Sequence, residues 1–390
     1  MADLRIVYEN AFRRHGLHGP HPSYAPALTC LRAVIYTAPA LRWLHNSIRR
    51  KGLPVRVGIN GLGRIGRTLF RLASGRQDLE IAALNDVADT RTLTHLLRFD
   101  SIHGRWDVPV EAEGRSIRIH GRSIPCTSFR TPGEIPWGEA GVEVVVEATG
   151  LFRQRKGASE HLGSGVERVI ISAPSPDADL TVVVGVNHRE FDPSRHRILS
   201  NASCTANCLA PILMVVERAL GVEAASLSTI HCYTNDQPLL DAPHRDLRRA
   251  RAAALSMIPT TTSASQALSR IFPHLAGRIS CQAVRVPTAQ VSAVEMVMML
   301  GRDAEMGAVR RMFRDAEEGD LKGILGYTEE EMVSIDYRGD SRSAVVDGAL
   351  LALPSPRLLK VFAWYDNETG YTHRLVDLIL QVSGANGGKP

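Results

Sequence analysis

The sequence predicts an α/β domain built on an open parallel sheet, followed by an α+β domain built on a mixed or antiparallel sheet with helices on one face. Three patterns point that way. Val55-Arg56-Val57-Gly58-Ile59-Asn60 alternates like a strand and runs through Gly61-Leu62-Gly63-Arg64-Ile65-Gly66 into a helical pattern over residues 67–74. Strand-like runs at 79–85, 142–150, 168–173 and 180–186 then alternate with helical stretches, as in a parallel sheet. From Cys204 the order changes to one apolar helix over 209–220, then longer strand-like runs at 222–233, 279–287, 291–300 and 357–365. The expected division is 53–203 for the first domain and 204–367 for the second, with a final helix near 369–383.

The first strand, turn and helix carry G-x-G-x-x-G in the setting that gives this spacing a mechanism. Gly61 permits the tight turn, Gly63 lets the backbone approach a diphosphate, and Gly66 lets the helix pack closely on the strand. The helix N-terminus offers that diphosphate unpaired N–H groups and the positive end of the dipole. The second strand ends at Asp86, twenty positions after Gly66, where a carboxylate can accept hydrogen bonds from ribose hydroxyls. Together these features predict a Rossmann-type dinucleotide-binding domain.

Composition narrows the function classes. With 44% hydrophobic residues, the 390-residue chain can bury two cores. It has no run of about eighteen uninterrupted apolar residues, so no transmembrane helix and no membrane partner are expected. The net charge of +5 is spread over 46 basic and 41 acidic residues, without the basic stripe interleaved with aromatics that nucleic-acid binding calls for. The six cysteines, Cys30, Cys126, Cys204, Cys208, Cys232 and Cys281, do not make a disulfide framework in so long a chain, and they lack the paired spacing of a zinc site. A reducing, cytoplasmic setting without a metal is the expectation. Residues 1–52 stand apart, with eight Arg and Lys against Asp3 and Glu9, and prolines at 20, 22, 26 and 39. Abundant Arg and scarce acids suit an organellar leader, while Arg32, Pro26 and Pro39 interrupt the apolar stretch of a secretory signal. A disordered basic extension outside the fold is expected there.

The chemistry centres on Ser200-Asn201-Ala202-Ser203-Cys204-Thr205-Ala206-Asn207-Cys208. A thiol in the first turn of a helix feels exposed N–H groups and the helix dipole, both of which favour thiolate, so Cys204 is the candidate nucleophile. His231 closes the strand-like run SLSTI, and an imidazole is suited to hold such a thiolate as an ion pair and then to move a proton. The polar, Arg-rich stretch 234–257 is long enough to signal function or an interface.

NGLGRIGR, VEATGLF, VIISAP, VVVGVN, SNASCTANCLAP, HCYTNDQ, DAPHRDLRRARAAA, MIPTTTS, AVRVPT, LKGILGYTEE and WYDNETGYTH follow one another from residue 54 to about 383. In these segments the chain resembles the phosphorylating glyceraldehyde-3-phosphate dehydrogenase family. The resemblance implies NAD as cofactor, met by Gly61, Gly63, Arg64, Ile65, Gly66, Asp86, Arg130, Ser172 and Asn367. Asn367 would face the nicotinamide carboxamide, with Tyr371 packed alongside. It implies Cys204 and His231 as the catalytic pair, acting on a phosphorylated aldehyde, D-glyceraldehyde 3-phosphate, through a thiohemiacetal and a thioester. Inorganic phosphate, as co-substrate, then captures the acyl group to give 1,3-bisphosphoglycerate, reversibly, in glycolysis or gluconeogenesis. Thr234, Arg249 and Arg285 match the contacts to the substrate's own phosphate, where arginine offers forked donors. Ser203, Thr205 and Thr262, with Ser263 beside them, match the site of the attacking phosphate. The family further implies a C-terminal helix, within 368–390, that returns to the nucleotide domain, and an S-shaped loop at 234–257 between the subunits of a homotetramer.

The sequence departs from the family pattern at several positions. Ser263 replaces the usual glycine, so its side chain narrows the phosphate site or demands a different φ. Ala206 stands where Thr is more common. Ala242-Pro243 is intermediate between patterns tied to strict NAD use and those that tolerate NADP; Asp86 would repel a 2′-phosphate, so NAD is expected and NADP use stays open. Two other readings stay open at this level: erythrose-4-phosphate dehydrogenase, a relative that hydrolyses its thioester, and a low-turnover cofactor-binding protein in which oxidation of Cys204 is a redox signal.

Overall fold

The computed structural model describes residues 53–384, so the expectation for residues 1–52 lies outside the described residues. β1 (Val55–Asn60) is buried at every position but Arg56, as a central strand covered on both faces must be. The glycine turn leads into α1 (Arg64–Ala73), which lays Leu69, Phe70 and Ala73 on the sheet. β2 (Leu79–Asn85) pairs parallel with β1, Asn60 standing opposite Asn85. α2 (Thr90–Arg98) begins at Asp89, whose carboxylate accepts from the Thr92 N–H.

Next comes an antiparallel meander, β3 (Val110–Glu113), β4 (Ser116–Ile119) and β5 (Arg122–Thr127), and β5 pairs parallel with β2. β6 (Val144–Glu147), α3 (Arg155–Ser159), β7 (Arg168–Ile171), β8 (Leu180–Thr181) and β9 (Ile198–Ser200) complete this half. The result is a nine-stranded sheet in the order β8-β9-β7-β6-β1-β2-β5-β4-β3. It is parallel from β8 to β5 and antiparallel at the meander edge. The strand-like run expected over 180–186 pairs for two residues only. Beyond them the Asn187 side chain takes over, accepting from the Val183 N–H and donating to the Thr181 carbonyl, so an amide replaces the neighbouring strand.

The second half opens with α4 (Cys204–Leu220), which begins five residues before the expected start at 209. Pro211 forfeits an N–H inside this helix, and the burial of Leu209, Ile212, Leu213 and Val216 in the core offsets the loss. β10 (Val222–Cys232), β11 (Ile258–Thr260), β12 (Ile279–Val286), β13 (Ser292–Leu300), β14 (Leu325–Thr328), β15 (Ala344–Asp347), β16 (Ala352–Ser355) and β17 (Leu358–Tyr365) form the second sheet. Its order is β11-β12-β10-β13-β17-β15-β14, with β16 alongside β17. β10 runs parallel to β12 and antiparallel to β13, so the sheet is mixed. Leu227, Met296, Met298, Val361 and Ala363 face α4, while Ile230 and Met299 stay exposed. α5 (Ala264–Ile271) and α6 (Met306–Glu318) complete the helical layer.

α7 (Thr369–Val382) ends the described chain. Its Leu375, Leu378 and Ile379 enter the core that holds Leu69 and Phe70 of α1, each burial contributing about 2 kcal/mol. The last helix thereby closes the core of the first sheet, and Glu368 and Asn367 at its start arrive beside the glycine turn.

Candidate active site

Cys204 is the first residue of α4, and Ser203 caps it by accepting from the Ala206 N–H at 3.0 Å. β10 brings His231, its next-to-last residue, beside it, with Nε2 3.5 Å from Cys204 Sγ. The imidazole is buried, while part of Cys204's surface stays open to solvent. A thiol and a base are therefore in contact. The surroundings of the pair work against the expected ion pair. Burial pushes the Cys204 thiol up, against the pull of Arg285 and of the Thr205 hydroxyl and N–H. Burial, and then the Arg285 charge, push His231 down from 6.5 to about 3. Desolvation of both partners thus opposes the helix N-terminus and favours a thiol beside a neutral imidazole.

Two arginines were expected at the phosphate sites, and they differ in their surroundings. Arg285 donates through Nη1 to His231 Nδ1 and to the Cys232 carbonyl, both at 2.8 Å. Its Nε is buried without a partner. Arg249 is already committed: it donates to Asp236 at 2.5 Å, to Thr260 Oγ1 at 2.7 Å and to the Thr261 carbonyl. Thr234 is half-buried three residues past His231, and Thr262 and Ser263 stand at the start of α5, with Thr262 Oγ1 accepting from the Ala264 N–H. Ser263 has φ −81°, an ordinary backbone for any residue, so its replacement of glycine imposes no strain. Thr205 is more enclosed. The residue is buried and its hydroxyl is paired with the Tyr365 hydroxyl at 3.1 Å.

The cofactor half fits a dinucleotide. Gly61 has φ +94°, and a Cβ there would meet the Thr149 N at 2.7 Å. At Gly66 a Cβ would meet the Gly61 carbonyl oxygen at 2.0 Å, whereas at Gly63 it would meet nothing within 4 Å. The turn is thus closed on the protein side and open where a diphosphate would lie. No side chain caps the first turn of α1, so the N–H groups near Arg64 and Ile65 face that opening. Asp86 accepts from the Leu62 N–H at 2.7 Å and the Ala88 N–H at 2.9 Å, which holds the turn and leaves carboxylate lone pairs for ribose hydroxyls. Arg64 meets the diphosphate site through its backbone. Its guanidinium is bound by Glu368, at 2.9 and 2.6 Å, and by Asp100, so the diphosphate is left its backbone. Arg130 is exposed just past Phe129, and Ser172 follows β7, its N–H donating to the Glu147 carbonyl. Asn367 Oδ1 accepts from the Val291 N–H at 3.1 Å and the Cys232 thiol at 3.2 Å, which leaves the Nδ2 hydrogens free to donate.

Other residues proved important without having been singled out. Tyr365 joins Thr205 on α4 to Thr229 on β10, at 3.1 and 2.9 Å, and its ring meets His231 edge-on. It fixes the spacing of the catalytic pair. The alternation of LLKVFAWY puts Tyr365 on the core face, and a core tyrosine must find a hydroxyl partner; that signal was available. Glu147, fully buried, gathers Asn60, Thr149 and His161, while Asn85 bonds Asn60 and clamps the Phe129 backbone. This network ties together the ends of β1, β2 and β6, where the cofactor contacts cluster. Tyr371 is buried and donates to the Ala202 carbonyl at 3.3 Å.

Comparison with known proteins gives the same reading. The family model described as glyceraldehyde 3-phosphate dehydrogenase, NAD binding domain, matches residues 55–155, and that of the C-terminal domain matches residues 203–367. Glyceraldehyde-3-phosphate dehydrogenase 1 of Bacillus cereus is 50% identical over 328 residues, which cover 84% of this chain and 98% of that protein. The Geobacillus stearothermophilus enzyme is 47% identical over 331 residues, covering 85% and 99%, and that of Streptomyces coelicolor 46% over 332, covering 85% and 99%. With both halves of the family matched and relatives aligned over nearly their whole length, the chain belongs to the glyceraldehyde-3-phosphate dehydrogenase family.

Proposed function

We propose that the chain catalyses the NAD-dependent, phosphorylating oxidation of D-glyceraldehyde 3-phosphate to 1,3-bisphosphoglycerate, reversibly. The observation that carries this reading is the 3.5 Å approach of Cys204 Sγ to His231 Nε2 at a helix N-terminus, in a chain whose relatives carry that enzyme's name. Residues 53–203 with the C-terminal helix would hold the cofactor, and 204–367 would perform the chemistry. As the sulfur adds to the aldehyde carbon, His231 Nε2 takes the thiol proton and returns it to the new alkoxide, giving a thiohemiacetal. Neutral again, the same nitrogen removes the hydroxyl proton while the carbon gives up hydride, and a thioester remains on Cys204. Bound NAD supplies the hydride acceptor, with Asn367 Nδ2 oriented to fix its carboxamide. Ser203, Thr262 and the Ser263 N–H, with an arginine, would hold inorganic phosphate for attack on the thioester, and the departing sulfur leaves an acyl phosphate.

Leu239, Leu240, Leu247, Leu255 and Met257 are 72–82% exposed along 234–257, which supports homo-oligomeric assembly, as the homotetramer, through that segment. The five described cysteines are all free thiols, which suits a reducing cytoplasm, and no described helix is long and apolar enough to cross a membrane. The test is NADH formation from the three-carbon and four-carbon aldehydes, with and without phosphate, in the wild type and Cys204→Ser. Phosphate-dependent turnover of the three-carbon substrate, lost at least about 10³-fold in Cys204→Ser, is expected. Equal rates without phosphate reject the reading.

A further inference from the structure

We propose that His161 and Glu147 are a positioning pair for dinucleotide binding: the neutral imidazole, acting through the buried carboxylate, gives one direction to a hydrogen-bond chain that holds both flanks of the glycine turn and the backbone beside Asp86. The proposal rests on the reading of that turn and of Asp86 as the edge that meets the cofactor.

The state of His161 follows from partners that have no choice of role. Trp137 Nε1 lies 3.1 Å from His161 Nδ1, and an indole N–H can only donate. Nδ1 is therefore an acceptor without a hydrogen, and the neutral ring carries its single hydrogen on Nε2, 3.1 Å from Glu147 Oε2. A second ring proton would set one N–H against another. Glu147 accepts from four donors: His161 Nε2 and Asn60 Nδ2 on one oxygen, the Thr149 N–H and hydroxyl on the other. With every acceptor position filled, no room remains for a carboxyl proton. Among the described residues no arginine or lysine pairs with this carboxylate, so these donors sustain its buried charge.

The chain from the carboxylate runs one way. Asn60 donates to Glu147 at 2.6 Å and accepts from Asn85 Nδ2 at 2.8 Å. Asn85 Oδ1 accepts in turn from the Phe129 N–H and the Thr127 hydroxyl, and Nδ2 also reaches the Phe129 carbonyl at 2.9 Å. A carboxylate that only accepts at one end, and a backbone N–H that only donates at the other, fix the direction of both amides.

This chain lies where a dinucleotide crosses the carboxyl ends of parallel strands. Asn60 directly precedes Gly61, and a Cβ on Gly61 would meet the Thr149 N at 2.7 Å, so Asn60 and Thr149 flank the turn. Asn85 directly precedes Asp86, whose N–H donates to the Thr127 carbonyl. An apolar side chain at position 161 would leave a buried acceptor on Glu147 and the Trp137 donor unpaired. The slack would pass through Asn60 and Asn85 to the turn and to Asp86.

The test is calorimetric titration of the full chain with NAD and with ADP-ribose, which lacks the nicotinamide. His161→Leu is expected to raise both dissociation constants about tenfold, with Cys204 alkylation by iodoacetamide in the cofactor-free protein unchanged. His161→Gln, whose amide offers an acceptor to Trp137 and a donor to Glu147, is expected to restore both to within about threefold of the wild type. In ¹⁵N-histidine-labelled wild type the His161 hydrogen is expected on Nε2, and this observation decides even where His161→Leu does not fold. Binding in His161→Leu as tight as in the wild type overturns the pair, as does a His161→Gln variant as weak as His161→Leu, or a His161 hydrogen found on Nδ1. If instead Asp86→Ala leaves both dissociation constants unmoved, the placement of the cofactor edge fails and not the pair.

Discussion

Ala202 and Val291 adopt left-handed backbone, φ +54° and +64°, although neither is glycine. Such a conformation costs about 1–2 kcal/mol per residue, and both residues flank the site. Ala202 precedes the cap of α4 and receives the Tyr371 hydroxyl, and Val291 directs its N–H at Asn367. The strain aims the sulfur and the amide, and the buried surroundings maintain it. Burial has a second consequence, at His231. Its pKa is lowered to about 3 in the folded chain against 6.5 ordinarily, so between those values the unfolded chain binds the extra proton. Stability is then complete above about pH 6.5 and falls as the pH drops toward 3, with about 2 kcal/mol lost at pH 5. His231→Gln, which has nothing to protonate, is expected to narrow the difference between melting temperatures at pH 7 and pH 5. An unchanged difference contradicts a buried neutral imidazole. Cys204 and His231 were legible in the sequence because their residue types and local setting announce their chemistry. Their protonation was not, since desolvation and the Arg285 charge come from segments distant in the chain.

The glycine turn from β1 to α1 was legible for the same reason, its whole logic being contained in six residues, and it separates binding from packing in a testable way. Gly66→Ala drives a Cβ to 2.0 Å from the Gly61 carbonyl oxygen, a backbone atom with no room to yield. A loss of about 2 kcal/mol in denaturant unfolding is expected. Gly63→Ala meets no protein atom, and the position is the cap of α1, with a φ of −65° open to alanine. Stability should stay within about 0.5 kcal/mol while the NAD dissociation constant, read by titration, rises about tenfold. Loss of stability at Gly63, or an unmoved dissociation constant, contradicts the assignment of its open face to the diphosphate. Elements whose partners lie far away were harder to read. The meander β3–β5 consists of short strands with exposed positions, Glu111 to Glu113 among them, and carries little apolar signal. The start of α4 was placed late because Pro211 reads as a residue of the first turn, whereas the buried helix carries it well inside. Val182 and Val183 read as strand because they are buried, yet after Val182 donates to the Ser200 carbonyl the Asn187 side chain takes the Val183 N–H in place of a strand.

At the scale of the whole molecule, two cores are joined by a chain that leaves the second sheet and returns through α7 to the first. Glu368 at the start of α7 binds Arg64 beside the glycine turn, and its neighbour Asn367 is held by β10 and the Val291 turn. Cofactor turn and catalytic strand are therefore mechanically continuous. The segment 234–257 lies outside both cores, and its apolar side chains are left without cover. A monomer rarely displays five large apolar residues at 72–82% exposure along one segment. Burying each against a second copy would contribute about 2 kcal/mol. Leu240→Asp combined with Leu247→Asp places two charges on that surface without touching the Asp236–Arg249 pair that orders the segment from within. Light scattering is expected to report an oligomer for the wild type and a smaller species for the double variant, with circular dichroism unchanged. Because Arg249 and Thr234 lie on the same segment, the smaller species should also bind substrate less well, visible as a raised KM with little change in the rate of Cys204 alkylation. A wild type that scatters as a monomer at micromolar concentration removes the assembly. A double variant that dissociates yet keeps its KM shows instead that the segment holds its active-site geometry without help from a second copy.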